Sequence, residues 1–84
     1  MDLTEQFNQA AEDSKSLAQR PSNETMLQLY SLYKQATAGD AGEVSLAPFD
    51  FVARAKYDAW VALKGKSKEL AMQDYISLVG KLKS

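Results

Sequence analysis

The segment Leu29–Asp40, LYSLYKQATAGD, constrains the fold more than any other stretch of the chain. At about 100° per residue, Leu32, Leu29, Tyr33, Met26, Tyr30 and Leu27 fall in order around an arc of roughly 220°. A core-facing stripe is usually about 100° wide or a little more. A helix with so broad an apolar surface has to be covered on two sides, so other helices must assemble around it. Tyr30, Tyr33 and Lys34 are spaced i, i+3, i+4, which places two phenols and an ammonium on one face. Two aromatic platforms beside a cation suit a ligand that is both flat and anionic, such as a nucleotide.

The flanking sequence supplies the other helices. Leu3, Phe7, Ala10, Ala11, Ser14, Leu17 and Ala18 recur at helical spacing and predict a first amphipathic helix, capped by Asp2 or Thr4. It ends at Arg20-Pro21, because the residue before proline is pushed out of the α region. The middle of its stripe is small, which fits either a close helix–helix contact or room for a ligand. Lys15 sits beside the stripe, where its stem can lie on the surface. Ser22 or Asn23 caps the second helix, which runs to about Ala38 and closes at Gly39. Residues 40–49, DAGEVSLAPF, carry neither period and read as an overhand crossing loop, which lets the third helix run parallel to the second. Asp50 caps that third helix, which extends to about Leu63. Phe51, Ala55, Ala59 and Ala62 form one line on it, while Tyr57, Trp60 and Val61 lie elsewhere, so it is expected to pack on more than one side. Ser67 caps a fourth helix with a stripe of Ala71, Tyr75, Leu78, Val79 and Leu82. The expected product is one all-α domain spanning residues 1–84, a four-helix bundle with a long connection between helices two and three.

Composition then narrows the chemistry. The 84 residues include no histidine and no cysteine. The commonest general base, the commonest metal ligand, thiolate zinc sites and thiol nucleophiles are thereby removed. Glu12 and Asp13 diverge around their helix, Asp50 and Asp58 have no partner base, and no glycine-rich phosphate loop is present. The chain is therefore expected to be a binding protein, not an enzyme, with no cofactor and no metal. A formal net charge of −1 gives no field that would draw the whole protein to nucleic acid. The N-terminal MDLTEQF lacks the basic and apolar regions of a signal peptide, and no apolar run is long enough for a membrane span. The expected location is the cytoplasm.

Binding energetics favour a mixed ligand. Each charge-assisted hydrogen bond to a phosphate contributes roughly 1.5–3 kcal/mol. Association entropy consumes most of what three such contacts supply. Burial of ten methylenes adds about 8 kcal/mol, against about 12 kcal/mol net for a nanomolar complex. An anionic nucleotide head joined to a long tail would use the aromatic–basic surface and an apolar groove together.

The segments FNQAAEDSKSL (7–17), MLQLYSLYKQATAGD (26–40), AKYDAWVALKGKSKELAM (55–72) and YISLV (75–79) carry a resemblance. Over nearly its full length the chain resembles the acyl-CoA-binding proteins (the diazepam-binding inhibitor family). The resemblance implies an up-down-down-up four-helix bundle that binds medium- to long-chain acyl-CoA esters and acts as an intracellular carrier and pool former. It implies adenine stacking on Tyr33 and a ribose 3′-phosphate held by Tyr30, Lys34 and Lys56. It also implies contact of Tyr75 with the ribose and adenine region, and approach of Lys15 to the CoA head. Phe7, Ala10, Ala11, Met26 and Leu27 match the groove for thioester and acyl chain. A monomer making transient contact with membranes or acyl-CoA-using enzymes is the implied state. The alternative is a helical protein-interaction module or peptide-like receptor ligand. The chain departs from the family pattern at Tyr57, usually tryptophan, at Val52, a lysine in many members, and in the placing of proline in GEVSLAPF.

Overall fold

The computed structural model describes residues 1–43 and 45–84. Val44, in the predicted crossing loop, lies outside the described residues. The described residues form four helices: α1 (Leu3–Ser14), α2 (Asn23–Ala38), α3 (Phe51–Val61) and α4 (Lys68–Lys83). Each starts on a side-chain cap. Asp2 accepts from the Glu5 amide at 2.8 Å, Ser22 from Thr25 at 3.1 Å, Asp50 from Ala53 at 3.0 Å and Ser67 from Leu70 at 3.1 Å. Every cap thus satisfies one of the amides that a helix start leaves without a partner. At the far end of α2, Gly39 takes a φ of 83°, a conformation that glycine adopts without steric cost.

The helices pack in the spatial order α1, α4, α2, α3. Their directions follow from which residues meet. Tyr30 faces Lys56 and Lys34 faces Trp60, so α2 and α3 run parallel. Phe7 meets Tyr75 and Asp13 meets Lys83, so α1 and α4 run parallel as well. Gln35 reaches the carbonyl of Lys66 while Tyr33 lies by Tyr75, so α2 opposes α4. The result is the up-down-down-up bundle, with α2 covered by α4 on one side and α3 on the other. The core is drawn from three helices: Phe7 and Ala10, then Leu29, Leu32 and Ala36, then Ala71, Tyr75 and Val79.

Two sequence expectations need correction. Helix α1 ends at Ser14, not at Arg20-Pro21. The Ser14 hydroxyl donates to the carbonyl of Ala11 at 2.7 Å and accepts from the Tyr75 phenol at 3.1 Å. The next two amides bond three residues back, which tightens and closes the helix. Helical spacing of Leu17 and Ala18 persists in a segment that is no longer helical. Helix α3 stops at Val61 and, among the described helices, packs only on α2, and none of its residues is buried. Its all-round apolar pattern comes from alanines, which need little cover, and from side chains left exposed at its first turn.

The crossing connection is held at its start. Trp60 donates to the carbonyl of Gly39 at 2.8 Å and Tyr57 to that of Gly42 at 2.6 Å. Beneath it lies a latch built from QATAGD. Gln35 is 0% exposed, and its amide donates to Asp40 and to the Lys66 carbonyl, both at 2.8 Å. Asp40 also accepts from the Gly65 amide at 2.9 Å. The end of α2 is thereby tied to the α3–α4 turn.

The Gly65 amide first, and Gln35 second, hold the Asp40 carboxyl below its ordinary value, and Lys83 with Gln9 does the same for Asp13. A depressed carboxyl pKa contributes stability above the unfolded value, about 4, which is lost as pH falls through the folded value. Urea midpoints should be flat from neutral pH to about 5 and fall below about 4. Asp40→Asn should lower stability at neutral pH and shallow that acid limb. An unchanged acid limb in this variant would contradict the latch.

Candidate ligand groove

A groove of about 760 Å³ opens where α2 and α3 run side by side. Beyond its first residue, Asn23, α2 contributes Met26, Leu27, Leu29, Tyr30 and Tyr33. Met26, Tyr30 and Tyr33 are at i, i+4, i+7, one helical face. Phe51, Val52, Ala55 and Lys56 form the α3 wall, Tyr75 reaches in from α4, and Ser14, Arg20 and Asn23 close the remaining side. Small Ala55 leaves the space between the helices unfilled.

One end is aromatic. Phe7 is 2% exposed and stacks on Tyr33 with centroids 5.5 Å apart, while Tyr75 meets Phe7 edge-on at 5.1 Å. Tyr33 and Tyr75 are 6.0 Å apart. Tyr75 is fixed at both ends, by the Phe7 ring and by the Ser14 hydroxyl. Tyr33 is backed by Phe7 but remains 42% exposed, so it presents a free aromatic face.

The cations lie on two rungs across the parallel helices. Lys56 of α3 is 5.3 Å from the Tyr30 ring centroid, and Lys34 of α2 is 4.9 Å from that of Trp60. Each rung pairs one aromatic with one ammonium, and the helices exchange roles between rungs. Such contacts contribute about 0.5–1 kcal/mol each at exposed positions. Among the described residues, neither lysine is in an ion pair. Neither ammonium therefore has to leave a carboxylate before it can meet an anion.

Tyr30, Tyr33, Lys56, Tyr75, Met26 and Leu27 all line this groove. Lys34 stands one rung away, over Trp60. Phe7 and Ala10 do not line it; they are buried beneath, and half-buried Ala11 packs against the same core. The small middle of α1 thus serves a close contact with α4. Lys15 is exposed and pairs with Glu12 at 3.5 Å, outside the groove. Sequence reasoning missed Arg20, Asn23 and the lip formed by Phe51 and Val52. Their signal was an apolar pair directly after a helix cap, and a cation just before a proline. Both are legible only once the helices are placed.

Fold and groove together define a class: a small all-α bundle with an open groove that is apolar along its length, and aromatic and basic at its edge. Among the described residues no helix is long and apolar enough to cross a membrane. Residues 4–79 match the family described as "Acyl CoA binding protein". The chain is 49% identical over 77 residues to the acyl-CoA-binding protein homolog of Drosophila melanogaster, covering 92% of this chain and 90% of that one. It is 52% identical over 82 residues to acyl-CoA-binding domain-containing protein 1 of Oryza sativa, with 98% and 90% covered. The crystal structure of Oryza sativa acyl-CoA-binding protein 2 superposes with a TM-score of 0.90 at 48% identity, over 96% of this chain and 90% of that one. That of the Moniliophthora perniciosa protein gives 0.86 at 34%, over 98% and 80%. The chain belongs to the acyl-CoA-binding protein family.

Proposed function

We propose that this protein binds medium- to long-chain acyl-CoA esters and serves as a cytoplasmic carrier and pool former, without catalysing a reaction on them. The observation that carries this reading is the juxtaposition of two cation–aromatic rungs with an apolar groove. Tyr33 offers its exposed face to the adenine. Tyr30, Lys34 and Lys56 converge on the ribose 3′-phosphate. Tyr75 contacts the ribose side, while Met26 and Leu27 run along the thioester and acyl chain. Phe7, Ala10 and Ala11 act from behind, by fixing the aromatic floor and the packing of α1. Lys15 approaches the CoA head only after leaving Glu12. No covalent chemistry is required: the protein solubilises a detergent-like ester and shields other surfaces from it.

The two halves of the ligand contribute comparable free energy. Phosphate contacts at roughly 1.5–3 kcal/mol each cannot reach nanomolar affinity alone, nor can about 8 kcal/mol from ten methylenes. Isothermal calorimetry should therefore show tight one-to-one binding of palmitoyl-CoA and far weaker binding of free CoA or palmitate. Comparable weak heats for all three would reject the assignment.

A further inference from the structure

One hydrogen-bond chain on the groove wall has a fixed direction. Ser14, at the end of α1, and Tyr75 of α4 both line the groove. A serine hydroxyl carries a single proton. That of Ser14 goes to the carbonyl of Ala11 at 2.7 Å, and a carbonyl has no proton to give in return. The 3.1 Å contact between Ser14 and Tyr75 must therefore use the phenol's proton, with the serine oxygen accepting. The one donor of Tyr75 is thus turned inward. Its oxygen keeps lone pairs, and among the described residues no group donates to them. The ring is held in place: Tyr75 is 4% exposed and meets Phe7 edge-on at 5.1 Å.

At this point of the wall a ligand meets an acceptor and no donor. A hydroxyl or amino group fits there. A phosphate, carbonyl or ether oxygen would set lone pairs against lone pairs. Anions have partners elsewhere in the groove, since Arg20 and Lys56 line it as well. A 3′-phosphorylated ribose has one free hydroxyl, at C2′, next to its phosphate. We propose that Ser14 is a positioning residue that sets specificity through Tyr75: by holding the phenol proton inward, it obliges the ribose to donate its 2′-hydroxyl to the phenol oxygen and excludes an acceptor or anion from that position. A tyrosine without this partner could turn its hydroxyl to suit either kind of group and would discriminate between them poorly. The choice of the ribose hydroxyl rests on the acyl-CoA reading, which puts the ribose beside Tyr75; the direction of the hydrogen-bond chain does not.

The test compares palmitoyl-CoA with its 2′-deoxy-2′-fluoro analogue, which is similar in size but cannot donate. By calorimetry the wild type should prefer the hydroxyl about tenfold. In Ser14→Ala the phenol proton is free to turn toward the fluorine, and the preference should shrink to about twofold. Ser14→Thr keeps the hydroxyl and should keep the wild-type preference. Tyr75→Phe removes the acceptor and should bring the two ligands close to equal. Each figure is a ratio within one variant, so a general loss of stability from altering the end of α1 does not mimic the effect. In the free protein, the Tyr75 hydroxyl proton should exchange slowly with solvent by NMR in the wild type and Ser14→Thr, and fast in Ser14→Ala. Equal binding of both ligands by the wild type overturns the proposal, and would leave the adenine amino group as the donor. A Ser14→Ala preference as large as the wild type's overturns it as well, as does fast hydroxyl exchange in the wild type. Slow exchange with no binding of palmitoyl-CoA at all removes the carrier reading and the ribose assignment together, while leaving the direction of the chain as described.

Discussion

Replacing Phe7 by alanine should remove about 3–5 kcal/mol of folding stability. An 84-residue domain has roughly 4–13 kcal/mol in total, so this is a large share of it. The thermal midpoint should fall by about 15–30 °C. The reason is position. Phe7 is 2% exposed and lies against both Tyr33 and Tyr75, so its loss opens a cavity where α1, α2 and α4 meet. Tyr75 cannot collapse into that space, because its phenol is bonded to Ser14. Phe7→Leu keeps most of the volume and should cost about 1–1.5 kcal/mol. That variant stays folded and separates packing from recognition: its affinity for palmitoyl-CoA should fall modestly, since Tyr33 loses the ring behind it. Thermal and urea unfolding of both variants checks the ranking. A drop below about 1 kcal/mol for Phe7→Ala would mean that the three-helix junction is not where the core is.

The largest effect on recognition is expected from Lys34 and Lys56. Each alanine variant should weaken palmitoyl-CoA binding by about 1.5–3 kcal/mol, roughly tenfold to more than a hundredfold. The free protein already engages both ammonium groups with aromatic rings, at 4.9 and 5.3 Å. Ligand binding exchanges that contact for a phosphate, so the net loss belongs nearer the lower end of the range. Because both cations are proposed to serve one phosphate, their effects should be less than additive in the double variant. Lys15 provides the contrast. Its side chain is 72% exposed and paired with Glu12, so Lys15→Ala should cost under about 1 kcal/mol. Calorimetry across the series reads the order directly. Equal losses at all three positions would indicate a diffuse positive field; no loss at Lys34 and Lys56 would remove their assigned roles. Fluorescence of Trp60 should change on binding, because Lys34 must leave its ring.

Much of this was legible in the sequence for a physical reason. Helix starts are written locally: Asp2, Ser22, Asp50 and Ser67 each bond an amide three residues on, and that pairing needs no tertiary contact. The broad apolar arc of α2 likewise announced cover on two sides, and α4 and α3 supply it. Helix ends were less readable. Ser14 stops α1 through bonds that include one to Tyr75, 61 positions away, and periodicity carries no trace of such a partner. The pattern of α3 misled for a related reason. An apolar residue that packs and one that lines an open groove look alike in a helical projection.

The chain by itself determined four capped helices, the place of the long connection, and which residue types could meet a flat anionic head and a fatty tail. Spacing and chemistry along one helix suffice for that. Only the assembled bundle decided which of those residues share a space. It put Phe7 and Ala10 beneath the surface, left Lys15 outside, brought Lys56 to Tyr30, and made Phe51 and Val52 the rim. The first two outcomes depend on how α1 packs against α4 and α2, the last two on the parallel register of α2 and α3, and both are set by packing between residues far apart in sequence.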